Sequence, residues 1–88
     1  MKPQAAKKSH RARYELFLAC LQEARYAADL SQVEMARRLG QTQTFISKCE
    51  RGERRLDVID LLDFMEALGH DPNTFLIHLR SKIKKSGT

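Results

Sequence analysis

Gln43, Thr44, Ser47 and Lys48 recur at the spacing of one helix face. Together they make a stripe of hydrogen-bonding side chains that carries a single charge. A glutamine amide pairs through two bonds with N6 and N7 of adenine, a threonine methyl meets a thymine methyl, and a lysine donates to O6 or N7 of guanine. Such a stripe suits a helix laid in the major groove of duplex DNA. Arg51 continues it by one turn and is better suited to a phosphate than to a base. Arg54 and Arg55 follow in the loop ERGERR and are further candidates for phosphate contact.

The residues upstream must set that helix in place. Ser31 can cap a first helix, and Glu34, three residues on, completes the pattern of a capping box. Gln32 is then the first helical residue. Ala36 falls on the inner face, where a small side chain lets a second helix cross closely. Gly40 stands just past Leu39, where the chain must turn sharply and glycine tolerates the left-handed conformation. Thr42 is a good cap for the next helix. Ile46 and Cys49 point inward at i and i+3, opposite the polar stripe. Phe45 is expected to pack under the following loop, near Leu56, rather than against DNA.

The segment QVEMARRLGQTQTFISKCER resembles the helix-turn-helix of the Cro/phage-repressor (XRE) family. That family places Gln, Ala and Gly at its first, fifth and ninth positions and aliphatic residues at its fifteenth and eighteenth. Gln32, Ala36, Gly40, Ile46 and Cys49 occupy them here, with LSQ before the first helix and ERGERR after the second. The resemblance spans roughly residues 14 to 80. Gln41, Leu56 and Cys49 depart from the common residues at their positions. The resemblance implies an all-α, compact five-helix, lambda-repressor-like DNA-binding domain whose helix 42–51 enters the major groove. It implies base contact by Gln43, Thr44 and Lys48, with Ser47 beside them, and phosphate contact by Gln32. It also implies a partly buried pair between Arg25 and Glu50 that orients the second helix and holds Arg25 near a phosphate. Relatives bind two-fold symmetric operators as dimers.

Composition bounds the rest. Eighty-eight residues, 42% of them hydrophobic, suit one domain with a modest core. No apolar run approaches the ~18 residues of a membrane span, and the basic N-terminus leads into no apolar stretch of a signal peptide. Cys20 and Cys49 read as small buried residues of a reducing cytoplasm. The expected location is therefore cytoplasmic, on the nucleoid. The net charge of +5 favours a polyanionic partner, double-stranded DNA. Residues 1–13 carry five basic and no acidic side chains, and residues 80–88 carry four and none. The body between them holds seven basic against eleven acidic groups, with Asp57, Asp60, Asp63, Glu66 and Asp71 gathered together. One face can thus meet phosphates while another repels them.

Apolar periodicity predicts five helices and no strands. The first runs from about Tyr14 to Ala28, with Phe17, Leu18, Leu21, Ala24 and Ala28 inward. The fourth starts after Asp57, turns Val58, Leu61, Leu62, Met65 and Leu68 inward, and ends at Gly69. The fifth opens on Asp71 and Pro72 and presents Phe75, Leu76, Leu79 and Ile83. The expected organisation is a flexible basic arm over 1–12, in which Lys2, Lys7, Lys8, Arg11 and Arg13 are as suited to wrap a duplex as to be a solvated tail. The DNA-binding domain follows over 13–84 and a flexible tail over 85–88.

No catalytic constellation is evident. His10, His70 and His78 are scattered, no Cys/His spacing matches a zinc site, and no glycine-rich phosphate loop is present. The expectation is a non-enzymatic regulator without cofactor, metal, small-molecule ligand or membrane contact. It would be a repressor acting on an inverted-repeat operator as a homodimer, through some of Phe75, Leu76, Leu79 and Ile83. An antitoxin with a toxin partner, a restriction-modification controller and a protein-interaction adaptor are the alternatives.

Overall fold

The computed structural model describes residues 3–88, with side chains from His10 onwards. Among them lie five helices and no strand: α1 (Pro3–Ala27), α2 (Gln32–Leu39), α3 (Gln43–Glu50), α4 (Val58–Leu68) and α5 (Pro72–Ser86). None is long and apolar enough to cross a membrane.

Local chemistry explains most boundaries. The Ser31 hydroxyl accepts from the Glu34 amide at 3.1 Å, and Thr42 accepts from the Phe45 amide at 3.1 Å. Gly40 closes α2 in the left-handed region at φ 66°, its amide bonded back to the end of the helix. The expected capping box at Ser31 forms only by half. The Glu34 carboxylate turns to Arg37 and Arg38 instead of returning to the Ser31 amide. The full box belongs to α4, where Asp57 and Asp60 bond reciprocally at 2.8 and 3.0 Å.

Two expectations change in the structure. Helix α1 begins at Pro3, well before Tyr14. Proline is preorganised for the first helical position, and Gln, Ala and Lys behind it are strong helix formers. The stretch expected as an arm is thus continuous with α1. Lys2 lies outside the described residues, as do the side chains of Lys7 and Lys8. Arg11 lies near Glu15, and Arg13 donates to the Thr88 carbonyl at 3.0 Å. At the other end α5 runs through the expected tail as far as Ser86.

The second change concerns the inner face of α4. It is Leu61, Phe64, Met65 and Leu68, while Val58 and Leu62 are exposed. Apolar residues at 58, 61, 62, 65 and 68 fit a helical stripe equally well. Packing of α4 against α2 and α5 selects the stripe through Phe64.

The core gathers Leu18, Cys20 and Leu21 of α1, Met35 and Ala36 of α2, Ile46 and Cys49 of α3, the α4 stripe, and Phe75. Phe17 meets Phe75 edge-on with centroids 6.0 Å apart. α3 is held between α1 and α2, which leaves its remaining face to solvent.

Candidate nucleic-acid interface

The interface is built outward from a buried charge. Arg25 at the end of α1 and Glu50 at the end of α3 are both nearly inaccessible, 6% and 7% exposed. The Arg25 Nε and Nη2 donate to the two Glu50 oxygens at 2.6 and 2.9 Å, and its Nη1 donates to the Leu30 carbonyl at 2.8 Å. This is the two-pronged arginine–carboxylate geometry that fixes orientation as well as distance. Hydrogen bonding to Glu50 pushes the Arg25 pKa further up against the opposing cost of burial, so the guanidinium stays charged.

A chain of amides leads from that pair to the surface. Gln32 Nε2 donates to Glu50 Oε1 at 3.0 Å, and Gln43 Nε2 donates to Gln32 Oε1 at 2.8 Å. One Gln43 rotamer is therefore preferred before any partner arrives. Each link leaves polar capacity unused, since a glutamine amide has two donors and two lone pairs. Gln43, Thr44 and Lys48 are exposed on α3, with Ser47 half-buried beside them. Arg51 donates to the Ser47 hydroxyl and, at 2.8 Å, to Glu53. The Glu53 carboxylate accordingly raises the Arg51 pKa, and Arg51 lowers that of Glu53.

The loop after α3 is shaped by aromatic rings. The Arg54 guanidinium lies 5.0 Å from the Phe45 centroid, and Arg55 lies 4.6 Å from that of Tyr14. The Tyr14 hydroxyl accepts from the Leu56 amide at 3.1 Å. Both arginines remain exposed beside these rings, at the distance of a cation–π contact. Phe45 packs partly buried against the core.

The structure thus joins Gln32, Gln43 and Glu50 in one network, with Thr44, Ser47, Lys48 and Arg51 on the adjoining face. Two sequence expectations are reassigned by burial. Arg25 is buried and gives Nε, Nη1 and Nη2 one bond each to Glu50 and the Leu30 carbonyl, so in the free protein it serves as a scaffold. Phe75, 2% exposed, belongs to the protomer's own core and leaves the candidate dimer face. Leu79 and Ile83 are partly buried, and Leu76 and Ile77 are exposed. Sequence reasoning missed Gln22, whose Nε2 donates to the Glu50 carbonyl at 3.2 Å and ties off the end of α3. It missed Tyr14 as the prop of the 54–56 loop, and Tyr26, an exposed ring 4.7 Å from the Arg25 guanidinium. Cys20 and Cys49 are free and buried, and burial pushes both thiols up, away from reactive thiolate character.

The family model described as a helix-turn-helix domain matches residues 16–75 of the chain. Among solved structures, the chain is similar to an XRE-family like protein from Pseudomonas syringae pv. tomato str. DC3000. The two are 49% identical with a TM-score of 0.83, over 89% of this chain and 95% of that one. No curated protein matches the chain.

Proposed function

This chain belongs to the XRE family of helix-turn-helix proteins, which are DNA-binding regulators, and we propose that it reads a specific duplex sequence with α3 in the major groove. The observation that carries the proposal is the amide chain from Gln43 through Gln32 to the buried Arg25–Glu50 pair. A solvated surface helix has no need of a rotamer wired into the core, whereas base readout does, because bidentate pairing tolerates little angular error.

In this reading Gln43, Thr44, Ser47 and Lys48 face base edges. Gln32, Arg51, Arg54 and Arg55 hold the phosphates, and Arg51 leaves Glu53 as it does so. One recognition helix reads only a few base pairs, so two protomers on an inverted repeat supply the remaining specificity. The exposed Leu76 and Ile77, with Leu79 and Ile83 behind them, are where α5 would meet its copy. Two protomers seated on an operator would occlude a promoter, and repression in the cytoplasm is the action this reading proposes.

A second reading has one observation in its favour. Val58, Ile59 and Leu62 are exposed on α4 among Asp57, Asp63 and Glu66. An apolar patch rimmed by acids suits a basic protein partner, such as the toxin of a toxin–antitoxin pair, and does not suit DNA. Amide chemical-shift mapping with a mixed pool of duplexes separates the two. The proposal predicts shifts concentrated in residues 42–55 and around Gln32. Absence of shifts there at low salt would contradict it and leave the α4 patch as the place to look.

A further inference from the structure

We infer that Cys20, Glu23 and His78 form a binding site for a divalent transition-metal ion of borderline softness, zinc being the type, at the seam between α1 and α5. The Cys20 sulfur, a Glu23 oxygen and a His78 ring nitrogen all lie within 4.8 Å of one another. Glu23 Oε1 and His78 Nε2 are already 3.4 Å apart. Two ligands about 2.0 to 2.1 Å from a tetrahedral ion stand about 3.3 Å from each other, and a thiolate and an imidazole about 3.5 Å. Closing the site therefore takes side-chain adjustment on the order of an ångström, with no change of helix packing.

The sequence hides this arrangement because two ligands come from one helix and the third from the far end of the chain. Cys20 and Glu23 stand one turn apart on α1, at the i and i+3 spacing that shares a face. Packing of α5 on α1 brings His78 over that turn. Cys20, 3% exposed, makes the floor, while Glu23 and His78 form an accessible rim. The three line a cavity of about 490 Å³ whose other walls include His70 and Thr74. That room admits the ion and a water as fourth ligand, the arrangement of open zinc sites.

The donor chemistry chooses the ion. Calcium and magnesium require shells of oxygen, whereas thiolate, imidazole and carboxylate together suit zinc and cobalt. Thiolate and carboxylate cancel the charge of a divalent ion, and the ion itself removes the thiol proton. Lys82 Nζ lies 3.8 Å from Glu23 Oε2, so it engages one carboxylate oxygen and leaves Oε1 to the ion.

The test uses the full chain, free of any affinity tag and kept reduced. Titration with cobalt(II) should give a thiolate-to-cobalt charge-transfer band and the visible bands of a tetrahedral ion, both abolished by zinc. Cys20→Ser should lose the charge-transfer band. His78→Ala should bind cobalt more weakly on the order of tenfold or more, since loss of outer-shell partners alone costs that much. Zinc should raise the melting temperature of the unaltered chain and not that of His78→Ala. His78 is 53% exposed, so its replacement keeps the fold and carries the decision by itself. No cobalt band in the unaltered protein, or equal cobalt affinity in His78→Ala, would overturn the assignment.

Discussion

Glu50 accepts from Arg25 and Gln32 through its carboxylate, and its carbonyl accepts from Gln22. Three elements therefore meet at one buried side chain. Removing it leaves the Arg25 guanidinium charged without a partner in the interior, a loss worth about 3–5 kcal/mol when one member of a buried pair is deleted. Glu50→Ala should lower the melting temperature sharply; a melting temperature equal to that of the unaltered chain would mean the pair is irrelevant. Gln43→Ala should behave oppositely. Its side chain is exposed, so the fold persists, while discrimination at one base pair falls by about 1–3 kcal/mol, measurable by competition between matched and mismatched duplexes. The pairing of Arg25 with Glu50 was legible through family resemblance. That Arg25 is almost fully buried was not, because its third bond goes to the Leu30 carbonyl in the turn after α1, a contact that spacing does not record. Gln22 was illegible too, since an amide bonding the end of another helix leaves no trace in spacing.

Helix by helix, capping chemistry was the most readable layer. Ser31, Gly40, Thr42, Asp57, Gly69 and Asp71 all stand where their residue types place them, because each satisfies backbone groups within its own turn. Thr42→Ala should cost about 1 kcal/mol and loosen the first turn of α3, where Gln43 and Thr44 sit. Denaturant titration checks the loss, and weaker duplex binding should accompany it. Asp71 makes a pH-dependent cap. Its bonds from Thr74 hold the carboxyl below its ordinary range, so its contribution is complete above that range and is lost as pH falls through the lowered value. Asp71→Asn should therefore flatten the acid limb of the stability profile and leave the alkaline limb unchanged. The α4 stripe was misread because apolar residues outnumber the positions one face can bury. The neighbours α2 and α5 then decide which residues turn inward, and a single helix carries no record of its neighbours. α1 was read short because the sequence offered a basic segment without apolar periodicity, although its helix propensity was high.

For the whole molecule, charge is divided between faces. The basic residues of α3 and the following loop lie together, while Asp57 caps α4 and Asp63 and Glu66 lie on it. Binding should thus be steeply salt-dependent. Arg54→Ala should lower the slope of log affinity against log salt by roughly one unit while weakening all sequences alike. Two protomers should assemble on the duplex, and sedimentation with and without DNA reports whether they do. The claim on which all of this rests is sequence-specific reading by α3. It is tested most directly by selecting bound duplexes from a random pool and titrating the winner at several salt concentrations. The account predicts an inverted repeat with half-sites about one helical turn apart, bound far more tightly than random DNA. Uniform, salt-driven binding to every duplex, or none at all, would contradict it.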